Sequence, residues 1–506
     1  MLMVLVDGKQ KTIEEIVRVA KGEEVAISGE ARDRILGSRR IVEDMVAKSK
    51  RIYGITTGFG KFADAAISLN DLKTLQHNLI VSHAVGTGEE FSEPEVRAAV
   101  FLRANALAKG NSGVRLRTVE SLAALLNRGV TPVVPQKGSV GASGDLAPLA
   151  HVALVLLGRG MARFNGEVVP GDKALSMAGI EPLTLEAKEG LALTNGVQMT
   201  AAVLALLIHT GENLARAADI TASLTGQALS VITDAYCEDI VRLRPHVGAF
   251  ETASNLRALL DGSRLTTRSG ELRVQDAYTL RCIPQVHGAV RQSLNHVRSV
   301  VEIESGSATD NPLVLEDGKV VSGGNFHGQP LAVAADYLGL SLCSLANISE
   351  RRVFRLFDPV SSGLPTFLAR DGGLNSGLMM LQYTAAALCS ECKTLAHPAS
   401  VDTIPTSAGQ EDHVSMSTIA ARKARDIASN VATVLAIEYV SACQAVDFKD
   451  LDLLSRAGRA AYDLLRAVVP PVIEDREMME DVERARQLIV SGALVDEVCK
   501  AAGKIL

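Results

Sequence analysis

The chain has 506 residues, 47% hydrophobic and 22% charged, with 52 basic and 58 acidic side chains and a formal charge of −6. That composition excludes a disordered polymer, and the charge balance argues against a nucleic-acid footprint or a polybasic membrane surface. Aromatic residues are few and Trp is missing, so the apolar volume is mostly Ala, Leu, Val and Ile, which suits close-packed helices.

At the start, the apolar run Met1–Val6 is cut off at once by Asp7-Gly8-Lys9, so no secretory leader is expected. With seven scattered cysteines, a cytoplasmic chain with reduced thiols is the simplest expectation. Asp7-Gly8 signals a small hairpin. Ser28 precedes a helix at about 30–49, and Ser68-Leu69-Asn70-Asp71 starts another that runs toward His83. Ser92-Glu93-Pro94-Glu95 is a capping box with Pro in the first turn, and Gly110 is the matching stop. Asn165-Gly166 and Asp317-Gly318 signal two further hairpins.

From residue 196 the pattern turns to long helices. Val286, Val290, Leu294, Val297 and Val301 step at helical spacing, as do Met416, Ala420, Ala424, Ile427, Val431 and Val434. Other long helices are expected at about 197–235, 330–355 and 376–396. After Pro470-Pro471 two or three short charged helices follow. The expected organisation is a mixed N-terminal region, 1–195, and a long-helix bundle, 196–506. No continuous apolar run reaches the roughly 20 residues of a membrane span; the longest candidate, Ala201–Ile208, ends at His209 and Glu212. Cys389 and Cys392 form a lone C-x-x-C with no second pair to complete a metal cage, so no metal is expected.

Several familiar chemistries fail on spacing. Gly54-Ile55-Thr56-Thr57-Gly58-Phe59-Gly60-Lys61 is one residue too long for a phosphate loop and is followed by Phe62 instead of Ser or Thr. H-E-x-x-H and G-x-S-x-G do not occur. The most unusual stretch is Gly138-Ser139-Val140-Gly141-Ala142-Ser143-Gly144-Asp145, which runs into an apolar helix at about 146–157. Asp145 is placed to cap that helix, which sets Ala142-Ser143-Gly144 at the positive end of its dipole.

This stretch resembles the signature of the aromatic amino acid ammonia-lyase family, which includes histidine, phenylalanine and tyrosine ammonia-lyases and related aminomutases. Five further segments resemble its motifs in order: Tyr53 to Gly60; Thr194-Asn195-Gly196; Val274-Gln275-Asp276-Ala277-Tyr278-Thr279-Leu280-Arg281-Cys282; Asn325-Phe326-His327-Gly328; and Gln410-Glu411-Asp412-His413-Val414-Ser415. The resemblance implies a mainly α, long-helix bundle of the fumarase/aspartase-like lyase architecture with a smaller mixed N-terminal region. It implies that Ala142, Ser143 and Gly144 condense, with loss of two waters, into 4-methylidene-imidazol-5-one (MIO), and that no diffusible cofactor is needed. It implies a small amino acid as the substrate and a homotetramer with shared active sites. Tyr53 would be the base for the β-proton, and Tyr278 and Asn195 would hold developing charge. Arg281 would take the substrate carboxylate, Gln275 would fix that cluster, and Phe326 would pack near the ring. On a helical turn, Gln275, Tyr278 and Arg281 would share one broad face. A Tyr base requires its phenol, ordinarily at about pKa 10, to be lowered by nearby positive charge or donors.

For selectivity, Ser82-His83, Glu411, Met379 and His397-Pro398-Ala399-Ser400-Val401-Asp402 resemble the histidine branch. An imidazole needs a partner at each nitrogen, and His83 and Glu411 can supply one each. The implied reaction is L-histidine to trans-urocanate and ammonia, a carbon–nitrogen lyase step. Gln329, where many histidine lyases carry Glu, and Thr194 depart from that branch, so a tyrosine or phenylalanine lyase or aminomutase is the second reading. A catalytically silent helical oligomer is the remote third.

Overall fold

The computed structural model describes residues 3–48 and 51–506. Met1 and Leu2 of the apolar start, and Ser49 at the expected helix end, lie outside the described residues. The molecule is mainly α-helical, with long helices and few, short strands.

Local signals set many helix boundaries. Ser28 caps helix Gly29–Ala47 by accepting from Ala31 N at 3.2 Å. Glu95 Oε2 accepts from Ser92 N at 2.8 Å at the head of helix Glu93–Ala108. The Ser68 start begins with a 3₁₀ turn, Leu69–Asp71, before helix Leu72–His83. Asn165-Gly166 joins antiparallel strands Met161–Phe164 and Glu167–Pro170, with both turn residues at positive φ as a tight hairpin requires. Asp317-Gly318 likewise joins Leu313–Val314 to Val320–Val321.

Asp7-Gly8 makes no hairpin. Strand Val4–Val6 pairs in parallel with Val25–Ile27, and helix Ile13–Ala20 lies between them in the chain. Instead, Asn105 Oδ1 accepts from Asp7 N (3.2 Å) and Gly8 N (2.9 Å) and holds the turn against helix Glu93–Ala108. A turn signal specifies a reversal, not the partner strand.

The expected long helices form as Gln198–Ala228, Ile283–Ser305, Gln329–Phe357, Met379–Leu395 and Ser417–Val446. Two helices, Met479–Val490 and Ala493–Ala502, follow the double proline. Gln329–Phe357 is long and apolar enough by composition to cross a bilayer, although about 61% of that stretch is buried inside the fold. It holds no unbroken apolar run of that length, because Asp336 and polar Ser and Asn residues interrupt it. Burial of most of its surface is what a core helix of a globular protein shows.

The chain divides into two compact units. The first takes Met1–His209, Val297–Asp336 and Pro398–Arg422; the second takes Thr210–His296, Tyr337–His397 and Lys423–Leu506. In the second, Gly248 and Gly288 let two helices touch backbone to backbone: a Cβ on Gly288 would lie 2.3 Å from Ala249 N. The same unit buries an Arg352–Glu438 pair, at 2.5 and 2.8 Å, with Ser349 Oγ (2.6 Å) and Thr225 Oγ1 (2.9 Å) also donating to the carboxylate. A buried charge pair is tolerated when its remaining lone pairs are satisfied, as here.

Candidate active site

In the first unit, Gly144 sits at the head of helix Leu146–Leu156 with φ +80°. A Cβ there would lie 2.2 Å from Gly196 O, so only glycine fits. Asp145 N donates to that same carbonyl at 2.6 Å, which binds the tripeptide to the Asn195-Gly196 segment. Ser143 is half-buried and Ala142 buried.

Asp145 stands at the cap position, but its side chain does not cap the helix. Its carboxylate accepts from Thr200 N (2.8 Å), Thr200 Oγ1 (3.0 Å), Thr418 Oγ1 (2.6 Å) and Ser139 Oγ (3.1 Å). Burial raises the Asp145 carboxyl above its ordinary range, and these donors pull it part of the way back. Asp145 thus ties three segments together beneath the tripeptide.

Asn195 follows helix Glu189–Thr194. Its Nδ2 donates to Ser143 O at 2.7 Å, while Oδ1 is buried with no hydrogen-bond partner. A buried carbonyl oxygen without a donor is costly, and here it stands beside the cleft as an acceptor awaiting one. Arg103, wholly buried, fixes the segment from behind by donating to Asn195 O (2.9 Å), Gln198 Oε1 (2.8 Å) and Ala192 O. Sequence reasoning missed Arg103, Thr200 and Thr418; the only signal for Arg103 was a charged residue within the mostly apolar stretch Ala98–Ala108.

A cleft of about 1270 Å³ opens over the tripeptide. Tyr53, His83, Ala142, Ser143, Asn195, Phe326 and Glu411 all line it, although they lie up to hundreds of residues apart. Gly144, next in the chain after Ser143, is not part of its lining. Ser143 Oγ donates to Glu411 Oε1 at 2.6 Å, and Thr406 Oγ1 donates to Glu411 Oε2 at 2.7 Å. The Thr406–Glu411 turn is tight, with Ser407, Ala408 and Gly409 all at positive φ. His83 ends its helix beside Ser82, whose Oγ lies 3.1 Å from His83 Nδ1.

Burial lowers the His83 imidazole below its ordinary value, while the Leu79 carbonyl and the Glu411 charge oppose that shift. The Tyr53 phenol moves the other way from the expectation. Burial, and to a lesser degree the Glu411 charge, raise it, against a hydrogen bond that Tyr53 Oη accepts from Gly60 N at 3.3 Å.

His327, within the Asn325–Gly328 motif, also lines the cleft and stacks on His413 at a centroid distance of 5.6 Å. Its Nδ1 accepts from Gln329 N at 3.3 Å, whereas Gln329 Oε1 is buried without a donor.

Gln275, Tyr278, Arg281 and Met379 belong to the second unit and are not part of this cleft's lining. Helix Tyr278–Arg281 is one turn long, so Gln275 lies before it in non-helical chain and does not share a helical face with the other two. Tyr278 is 70% exposed. The Arg281 guanidinium stacks 4.7 Å from the Tyr278 ring centroid, and its Nε donates to Asp276 O at 3.0 Å. Met379 is half-buried at the start of helix Met379–Leu395.

Residues 11–467 match the family model described as aromatic amino acid lyase. A histidine ammonia-lyase of Caldanaerobacter subterraneus subsp. tengcongensis is 52% identical, with both chains wholly covered. The crystal structure of a histidine ammonia-lyase from Trypanosoma cruzi superimposes with a TM-score of 0.92 at 41% identity, covering 99% of this chain and 96% of that one. A tyrosine aminomutase from Streptomyces globisporus superimposes with a TM-score of 0.95 at 39% identity, covering 99% of each chain.

Proposed function

The chain belongs to the aromatic amino acid lyase family, and from that premise we propose that it removes ammonia from L-histidine to give trans-urocanate. The observation that carries this reading is the convergence of His83 and Glu411 on one cleft with Ser143 and Asn195. The full-length likeness to histidine ammonia-lyases supports it.

We propose further that Ala142, Ser143 and Gly144 condense into MIO. The residues fit: Gly144 has no space for a Cβ, and Asn195 holds the Ser143 carbonyl while presenting an unpartnered oxygen. When formed, this group supplies an electrophile that takes up the electrons of the departing amine. The chain's own side chains do the rest. His83 and Glu411 bind one imidazole nitrogen each, and Asn195 Oδ1 accepts from the substrate amine. Tyr53 takes the β-proton, which requires that substrate and loop closure reverse the raised pKa of its phenol. Phe326 packs against the reacting ring system.

Arg281 presents a planar fork to the substrate carboxylate with Tyr278 stacked on it, and Gln275 would fix that cluster. These three, and Met379, would complete the cleft from neighbouring copies in a cytoplasmic homotetramer. No diffusible cofactor enters this reading.

Purified protein incubated with L-histidine should develop urocanate absorbance, with little product from L-tyrosine or L-phenylalanine. Faster turnover of tyrosine would move the protein to the second reading, an aromatic lyase or aminomutase, which Gln329 and the likeness to tyrosine aminomutase favour. Ser143→Ala should abolish turnover; full activity in that variant would reject the MIO mechanism.

A further inference from the structure

Glu411 was singled out as a ligand for the substrate ring, yet in the open chain it already has a partner. Ser143 Oγ lies 2.6 Å from Glu411 Oε1, and that hydroxyl must leave if the tripeptide is to mature. We propose that Glu411 is the proton donor that removes the Ser143 hydroxyl, so that one carboxyl group first builds the electrophile and afterwards binds the substrate. This rests on the MIO reading above and adds a maturation step to it.

The chemistry balances without an oxidant. The Gly144 nitrogen bonds to the Ala142 carbonyl carbon. The Ala142 oxygen then leaves as the first water, carrying the Gly144 and Ser143 amide protons. In the second step the Ser143 Cα proton passes to solvent water in the cleft, and its electron pair forms the Cα–Cβ double bond. The Cβ–Oγ bond breaks, and Oγ leaves as the second water with the proton given by Glu411 in its acid form. Glu411, which accepts from Ser143 Oγ in the open chain, takes that proton from solvent before the step and is left as the carboxylate after it.

Two further contacts prepare this elimination. Asn195 Nδ2 donates to Ser143 O at 2.7 Å, which stabilises negative charge on that oxygen as the Cα proton departs. Thr406 Oγ1 holds Glu411 Oε2 at 2.7 Å and so keeps Oε1 aimed at the serine. Once the hydroxyl has gone, Oε1 has lost its donor and faces the cleft as an open acceptor. Completed maturation thus releases the atom that an imidazole N–H can use.

Intact mass of freshly purified protein tests this, with circular dichroism as the check on folding. Wild type should be two waters lighter than the encoded chain. Glu411→Gln keeps a hydrogen-bonding group but cannot give a proton. It should accumulate folded protein one water lighter, with the second loss slowed about a hundredfold or more. Glu411→Asp should restore the second loss in part. A folded Glu411→Gln chain that is two waters lighter as early and as completely as wild type would overturn the proposal and leave the MIO reading intact. A wild-type chain of full encoded mass would reject that reading itself. If Glu411→Gln does not fold, Glu411→Leu decides: a folded chain that loses the second water at the wild-type rate overturns the role assigned to Glu411.

Discussion

His83 and Tyr53 face the same carboxylate, and burial pushes their titrations in opposite directions. Burial favours the neutral form of each, so the imidazole falls below its ordinary 6.5 and the phenol rises above its ordinary 10. His83 therefore stays neutral through pH 7 and gains its proton only below pH 6.5. The component of kcat/KM that depends on it should hold from pH 8 to 6.5 and fall at more acid pH. His83→Leu should lack that acid limb and raise KM for L-histidine about tenfold or more, the cost of one lost hydrogen bond in a closed site. An unaltered acid limb in the variant would show that another group titrates there. The place of His83 at the cleft could be anticipated from its position after Ser82. The direction of the Tyr53 shift could not, because it depends on what the folded chain packs around the phenol.

Elements meet through positions too small to be seen as a pattern. Gly248 and Gly288 lie on helices Val247–Leu260 and Ile283–Ser305, and their backbones touch where a Cβ would collide. Gly288→Leu should destabilise the protein by about 1–3 kcal/mol through overpacking, read as an earlier urea midpoint. It should leave the loss of two waters unchanged, since Gly288 is in the second unit and the tripeptide in the first. A shared defect in both measurements would mean that the tripeptide depends on that crossing. The helices themselves were legible from spacing and capping residues, because those signals act within a few residues. Gln275, Tyr278 and Arg281 do not share the helical face expected of them, because a spacing of three and three cannot tell one turn from two.

For the whole molecule, the buried Arg352–Glu438 pair ties several helices of the second unit. Arg352→Met should cost about 3–5 kcal/mol, because it strands a buried carboxylate. A loss under about 1 kcal/mol would mean that the donors from Ser349, Thr221 and Thr225 satisfy Glu438 alone. Light scattering should give the mass of four chains. A monomer with full activity would rule out sites completed by neighbouring copies, and would leave Tyr278 and Arg281 without the role proposed for them.

The sequence by itself determined the tripeptide, the capped helix starts, two hairpins and the long apolar periods. Each of these is written in neighbouring residues and depends on local sterics and hydrogen bonding. Only the tertiary structure decided which distant groups meet. Glu411 reaches Ser143 across 268 positions, the Asp145 carboxylate turns from its own helix to Thr200 and Thr418, and Val4–Val6 takes a parallel partner. Such pairings and the burial that shifts a titration arise from the packing of the whole chain, and no window along it contains them.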